Sequence, residues 1–251
     1  MIRNFLPYFI YKRLFGDRLK YKTKIDTNDK DWKLWILHIG KIYEMREKSL
    51  PGSLVNFFSY NIMRSINMKN KIILEIGPGN LHHISYWNSR PKKYILADTN
   101  LKYLKISNAI LKKKKIKGQK MKISHKNFKL KCKNNSVDLV ISFFSLEHIY
   151  NLNQCINEIK RVLKKNGKLV FAIPNEGSFA WGFARYIISR RWMLNNTNIN
   201  YDKVICWEHP NFATKIIKSL NKKLKKLKIQ SIPNIFFDDL TFIKKGIYTK
   251  F

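Results

Sequence analysis

"KIILEIGPGN", residues 71–80, decides the fold: an apolar run ends on Glu75, and Gly77, Pro78 and Gly79 follow at once. A run this short suits a buried strand, and glycines directly after it, having no Cβ, permit a tight turn and close approach of a ligand to the backbone. A single apolar run does not exclude a helix, but its repetition does. "KYILADTN" (93–100), "MKISH" (121–125), "VDLVISFF" (137–144) and "KLVFAIP" (168–174) repeat it, alternating with helical stretches. Strand and helix in alternation predict a parallel sheet wound by right-handed crossovers.

The strongest helical stretch is "NLNQCINEIKRVLKKNG" (151–167), in which Leu152, Cys155, Ile156, Ile159, Val162 and Leu163 share a face. An Asn suits its cap, lysines suit its last turn, and Gly167 is expected to end it. A weaker helix, "LKYLKISNAILKKKK", follows the second strand, and another is expected directly after the glycine turn, carrying His82 and His83. Upstream, 29–50 and 54–67 read as two helices separated by Pro51 and Gly52. Downstream, "NFATKIIKSLNKKLKKL" (211–227) is helical, and "IQSIPNIFF" and "LTFIKKGIYT" supply two last strands as an antiparallel hairpin. The expected class is therefore α/β and Rossmann-like, a mostly parallel seven-stranded sheet with helices on both faces and an antiparallel C-terminal strand. Residues 1–67 form a helical extension or cap, 68–251 the main domain, and 176–210 a substrate-binding insertion.

Composition limits the partners. The 251 residues carry a formal charge of +34, which alone would suggest nucleic acid or an anionic membrane. Yet 40 Lys stand against 10 Arg in a chain also rich in Asn, Ile, Phe and Tyr, the signature of an AT-rich coding sequence. Readers of nucleic acid lean on the arginine fork. Nucleic acid is thus the less favoured partner. Three widely spaced cysteines, Cys132, Cys155 and Cys206, form no disulfide framework and fit a reducing cytoplasm. The N-terminal "MIRNFLPYFIYKRLFG" could lie on a membrane surface through Phe5, Leu6, Phe9 and Ile10, or pack as a short helix on the domain.

In doubly wound sheets ligands bind outside the carboxyl ends of the strands. A dinucleotide turn would need a small residue at 82, where this chain has His82, and Glu75 would oppose a pyrophosphate. The same carboxylate suits an ammonium or sulfonium. Asp98, nineteen residues past Gly79 at the end of the second strand, is placed to accept from both hydroxyls of a ribose. Acid, bare turn, acid is a pattern for a cationic nucleoside.

With these motifs the chain resembles the class I S-adenosylmethionine-dependent methyltransferases, especially the small-molecule branch called type 11. The resemblance covers roughly 68–175 and rests on "ILEIGPGN", "LADTN", "NNSVDLVISFFSLEHI" and "INEIKRVLKKNGKLVFAIPN". It implies S-adenosylmethionine as cofactor, with Glu75, Gly77, Pro78 and Gly79 at its amino-acid end and Asp98 at its ribose. Ser142 and Phe143, in "SFFSLEH", would lie on the floor between cofactor and acceptor. Two positions depart from the family: Leu81 replaces a third glycine, so the turn needs another geometry, and Lys126 and Asn127 replace an acid that takes the adenine amino group. Asn127 could accept that bond through its amide oxygen.

For the transfer itself, His148 is the candidate general base, or else caps the following helix; its ordinary pKa of about 6.5 suits proton removal near neutrality. A metal-assisted branch carries a Glu three residues ahead of its Glu-His pair, and Phe144 stands there, so no metal is expected. Cys206 and His209 alone do not make a metal site. Trp181, Arg185 and Tyr186 are candidate acceptor contacts, with Trp192, Trp207 and Arg190 nearby in sequence; packing of the insertion is the alternative for each aromatic. The favoured function is methyl transfer to a small acceptor, a sugar or lipid-linked envelope intermediate, by a cytoplasmic protein able to sit peripherally on a membrane. The alternatives are an RNA methyltransferase using the lysine surface and a non-catalytic binding protein on the same fold. Oligomeric state is not legible.

Overall fold

The computed structural model describes residues 1–124 and 127–251, with backbone alone for 41 and 43–48. Before the sheet come α1 (Tyr8–Phe15), α2 (Arg18–Tyr21), α3 (Lys30–Lys48) and α4 (Leu50–Tyr60). The sheet and its crossovers follow: β1 (Ile72–Ile76), β2 (Lys93–Asp98), α5 (Leu101–Lys113), β3 (Gly118–Lys122), β4 (Val137–Phe143), α6 (Leu152–Val162) and β5 (Leu163–Pro174). Four short helices, α7 (Phe179–Arg185), α8 (Arg191–Asn196), α9 (Tyr201–Glu208) and α10 (Ala213–Asn221), precede β6 (Lys225–Ile232) and β7 (Ile243–Thr249). The strand order is β3-β2-β1-β4-β5-β7-β6, with β7 antiparallel to both its neighbours and the other pairs parallel. This is the expected seven-stranded Rossmann-like sheet.

Alternation along the strands sorts two cores. Leu74, Ile76, Val140, Leu169 and Phe171 point to the face covered by α6 and α10, while Ile73, Leu139, Ile141 and Val170 point to the face covered by α5 and residues 60–66. Helix α6 buries Leu152, Cys155, Ile156, Ile159 and Val162, each large apolar side chain contributing about 1.5–3 kcal/mol. A third core joins the N-terminal segment to the 176–210 segment: Trp35 and Ile42 pack with Met193, Tyr201, Val204 and Trp207. Hydrogen bonds join the same two segments, since Arg18 reaches the carbonyl of His209 and Arg3 that of Gly177.

Several sequence boundaries are corrected. Pro51 and Gly52 do not separate two helices; they lie in the first turn of α4, where proline needs no amide donor and the Ser49 hydroxyl accepts from Gly52 N. That helix ends at Tyr60 and continues as a 3-10 turn over Asn61–Ser65. Gly167 is not a helix stop. Leu163 already has extended backbone (φ −62, ψ 135), and the register jumps from Val137↔Leu163 to Leu139↔Lys168, so 164–167 bulge from β5. β3 begins at Gly118 rather than 121, and β6 at Lys225 within the stretch read as helix. The first crossover contains no α-helix: a single 3-10 turn, His82–Tyr86, links β1 to β2.

Candidate active site

The glycine turn is tight because Gly77 (φ +68) and Gly79 (φ +51) both take left-handed backbone. A Cβ on Gly77 would meet that of Ser145 at 2.6 Å, whereas one on Gly79 would meet nothing within 4 Å. Gly79 is thus the bare side of the turn, with Pro78 buried beside it. Leu81, at the position of the family's third glycine, also has left-handed backbone (φ 53, ψ 37) and is buried in the core under the turn. The altered geometry expected there is this leucine followed by a 3-10 turn.

Glu75 does not face the turn's open side. Its carboxylate is buried and accepts from Tyr94 Oη at 2.7 Å and from His83 Nε2 at 2.8 Å. The tautomer follows from Trp87, whose Nε1 can only donate and does so to His83 Nδ1 at 2.9 Å, leaving the proton on Nε2. Trp87, His83, Glu75 and Tyr94 form a closed chain under the turn, with Trp87 stacked on Tyr94. His82 points outward, as neighbours on a turn must diverge.

Asp98 sits half-buried at the tip of β2, where burial raises its pKa against the pull of backbone amides, among them Asn100 N at 2.7 Å. Asn127 is exposed, and its amide oxygen accepts from Gln154 Nε2 at 2.7 Å; Lys126 lies outside the described residues. Ser142 is buried against Ser145, Oγ to Oγ 2.5 Å, and Ser145 in turn donates to the Ile76 carbonyl at 2.9 Å. Phe143 packs edge-on to Tyr60 and tilted against His83, at 5.2 and 5.1 Å between ring centres.

The carboxyl ends of β4 and β5 hold a second constellation. The 3-10 turn Leu146–His148 places Glu147 inside, where burial pushes its carboxyl up to about 7 and Oε2 has no hydrogen-bond partner. His148 is partly exposed; its Nδ1 donates to the Glu208 carbonyl at 2.7 Å and its Nε2 stands 3.8 Å from Glu147 Oε1. Burial pulls its pKa down, but the carboxylates of Glu208 and Glu147 outweigh this and raise it. Glu176, just past β5, is fully buried, yet Arg185 and His209 overcome the burial and hold its carboxyl well below the usual range. It accepts from Arg185 Nη1 at 2.5 Å, Trp181 Nε1 at 3.0 Å and His209 Nδ1 at 2.8 Å. The Glu208 carboxylate accepts from Trp35 Nε1 at 2.8 Å, and the His148 and His209 rings meet edge-on at 4.7 Å.

The sequence-predicted residues are thus divided. His148 is brought to this cluster. Arg185 and Trp181 are part of it, but directed inward onto Glu176, with Arg185 also bonded to the Leu14 carbonyl. Tyr186 is exposed with the Arg190 guanidinium 5.4 Å from its ring centre, while Arg190 itself pairs with Asp202. Cys206 is buried and donates to the Asp202 carbonyl. Sequence reasoning missed Glu176 and the role of Glu208-His209. A signal existed: Glu147-His148 and Glu208-His209 are the same dipeptide on two segments.

Residues 74–171 match the family model described as Methyltransferase domain. An uncharacterized protein of Methanocaldococcus jannaschii is 35% identical over 114 residues, 45% of this chain and 44% of that protein, so the chain spans under half the length of the curated relative it matches. A SAM-dependent methyltransferase from Aquifex aeolicus shares the fold at TM-score 0.56 and 12% identity, over 84% of this chain and 98% of that one. The [4+2]-cyclase SpnF shares it at TM-score 0.54 and 10% identity, over 78% of this chain and 81% of that one.

Proposed function

We infer that this chain, which carries a class I S-adenosylmethionine-dependent methyltransferase domain of the type 11 branch, transfers a methyl group to a small hydroxyl-bearing acceptor attached to a lipid. S-adenosylmethionine, when bound, supplies an electrophilic methyl on a sulfonium. The residues present fit its nucleoside half: Asp98 at the tip of β2 can accept from ribose hydroxyls, and the bare flank of Gly79 admits a ligand against the backbone. At the amino-acid half, the backbone of the Gly77–Gly79 turn meets the ligand, since both Glu75 oxygens are engaged from within. The acceptor belongs over β4 and β5, where its proton has two places to go: the Nε2 lone pair of His148 and the unpartnered oxygen of Glu147. Holding donor and acceptor in line supplies most of the remaining rate.

The observation that carries the lipid is an exposed apolar belt beside this end of the sheet. Phe5 and Phe9 on the N-terminal segment, Phe183 and Ile187 after β5, and Phe236 and Phe237 before β7 are all solvent-facing. Their elements adjoin: α7 packs against α1 and against residues 238–240, and Asp239 accepts from both Ile2 N and Phe179 N. Exposed Lys20, Lys22 and Lys24 follow Phe5 and Phe9 in sequence, and each basic residue near an anionic leaflet contributes about 1 kcal/mol. Aromatic insertion and basic attraction together suit an anionic bilayer.

The test is methyl incorporation from labelled cofactor into a fractionated cell extract, with co-sedimentation on phosphatidylglycerol vesicles. Label in the lipid pool, and vesicle binding weakened at least tenfold by Phe5→Glu with Phe9→Glu, are expected. Label confined to the RNA pool, or vesicle binding that ignores both substitutions, would overturn the reading.

A further inference from the structure

We propose that His148, Glu208 and His209 bind one divalent transition-metal cation of the zinc class at the carboxyl ends of β4 and β5. One ligand atom from each lies within 4.8 Å of the others. A tetrahedral ion at ordinary zinc distances sets its ligand atoms about 3.3 Å apart, so the cluster closes by about 1.5 Å at its widest on binding.

Each imidazole keeps a lone pair for the task, and because His148 Nδ1 is the nitrogen 3.4 Å from Glu208 Oε1, the His148 ring turns on binding. A carbonyl oxygen only accepts, so the contact with the Glu208 carbonyl fixes the proton of His148 on Nδ1. The Glu176 carboxylate fixes that of His209 in the same way. Both Nε2 atoms are left with lone pairs, and a histidine whose other nitrogen donates to a carboxylate or carbonyl has the orientation found in metal sites. Trp35 Nε1, a donor only, anchors the Glu208 carboxylate from the opposite side.

Glu147 is the independent observation. It is 1% exposed, one oxygen has no partner, and the other stands 3.8 Å from His148 Nε2. A carboxylate in that position is costly unless a cation joins it. The nearby guanidiniums are directed elsewhere: Arg185 to Glu176 and the Leu14 carbonyl, Arg18 to the carbonyls of Phe15 and His209. Glu147, Glu176 and Glu208 outnumber these two arginines. The neighbouring thiol, Cys206, is bonded to the Asp202 carbonyl, so the donor set is nitrogen and oxygen, which suits zinc, manganese or iron(II). The expectation of no metal weighed Glu147-His148 and Cys206-His209 as separate pairs; the fold brings His148 together with two ligands from the end of α9.

If the chain transfers methyl groups as inferred above, the ion would take up the His148 lone pair and lower the pKa of a coordinated acceptor hydroxyl, leaving Glu147 alone to receive the proton. Ion binding itself does not depend on that reaction.

Chelator-treated full-length protein is equilibrated with zinc, and bound metal is measured by elemental analysis alongside thermal unfolding. One zinc per chain and a raised melting temperature are expected, weakened at least tenfold by His148→Gln and by His209→Gln but not by His82→Asn on the exposed turn. Cobalt(II) should give tetrahedral visible absorption with no thiolate charge-transfer band. Substoichiometric zinc, or equal binding by wild type and His148→Gln, overturns the site. Should the glutamine variants unfold, ring-nitrogen resonances of the wild type decide: zinc must shift two Nε2 signals, and no shift overturns it. Zinc bound without methyl transfer upholds the site and refutes only the reaction; transfer that persists in chelator with no ion bound upholds the reaction and refutes only the ion's part in it.

Discussion

Substitution of Glu75 separates a role in the core from a role at the cofactor. Glu75→Ala strands two buried donors, His83 Nε2 and Tyr94 Oη. Each unsatisfied buried group costs about 1–3 kcal/mol, so the pair predicts a loss of about 2–6 kcal/mol. Glu75→Gln should cost far less, about 1 kcal/mol. Its amide oxygen can accept from His83, whose proton is fixed on Nε2 by Trp87, and its amide NH2 can donate to Tyr94, because a hydroxyl accepts as well as donates. Tyr94→Phe removes that rescue, so the double variant Glu75→Gln with Tyr94→Phe should lose more than the sum of the singles. Urea unfolding followed by circular dichroism reads the four variants beside wild type, and a double-mutant cycle gives the coupling. A Glu75→Gln protein as unstable as Glu75→Ala would refute the network. Wild-type stability in Glu75→Ala, with cofactor affinity lost, would return the residue to direct ligand contact.

Three further outcomes are expected. Asp98→Ala should weaken S-adenosylmethionine binding at least tenfold by calorimetry, since one hydrogen bond to a charged acceptor is worth about 1.5 kcal/mol or more; an unchanged affinity would remove it from the ribose site. Leu81→Gly should destabilise by about 2 kcal/mol in thermal unfolding: emptying a buried leucine position costs about 3.5 kcal/mol and release of left-handed backbone returns about 1.5. A rise in melting temperature would show that strain outweighs packing there. Arg185→Ala should cost about 3–5 kcal/mol because Glu176 is left as an unpaired buried charge. Full stability with a raised acceptor KM would assign Arg185 to the acceptor instead.

The sheet was legible because its information is local. Period-two alternation and the apolar runs at 72–76, 137–143 and 168–174 mark strands whatever lies around them, and the last hairpin follows from the same signal. Boundaries failed where tertiary contacts override propensity. Lysine-rich 222–227 reads as helix, yet Lys225 and Lys226 pair with Thr249 and Tyr248 at the sheet edge. The candidate site divides along the same line. Asp98 and the glycine turn lie at the carboxyl ends of the neighbouring strands β2 and β1, so their placement could be read from the strand pattern. The engagement of Glu75 by His83 and Tyr94 depends on a packing arrangement that sequence does not display. Glu176, Glu208 and Arg185 look like surface charges or phosphate ligands until Leu14, Arg18 and Trp35 are brought back from the other end of the chain.

That return has a consequence for synthesis. The cluster at β4 and β5 is completed by Leu14, Arg18 and Trp35, yet their partners, residues 176–209, are made last but for α10 and the final hairpin. At ordinary ribosomal rates, about 5–20 residues per second, the N-terminal segment waits roughly ten to thirty seconds for the surface it must cover. During that interval Phe15 and Trp35, buried in the finished protein, have no partners from the 176–209 segment. The nascent chain therefore offers an apolar and basic stretch to chaperone or bilayer before it owns a site, and attachment to a surface can precede, and guide, completion of the fold.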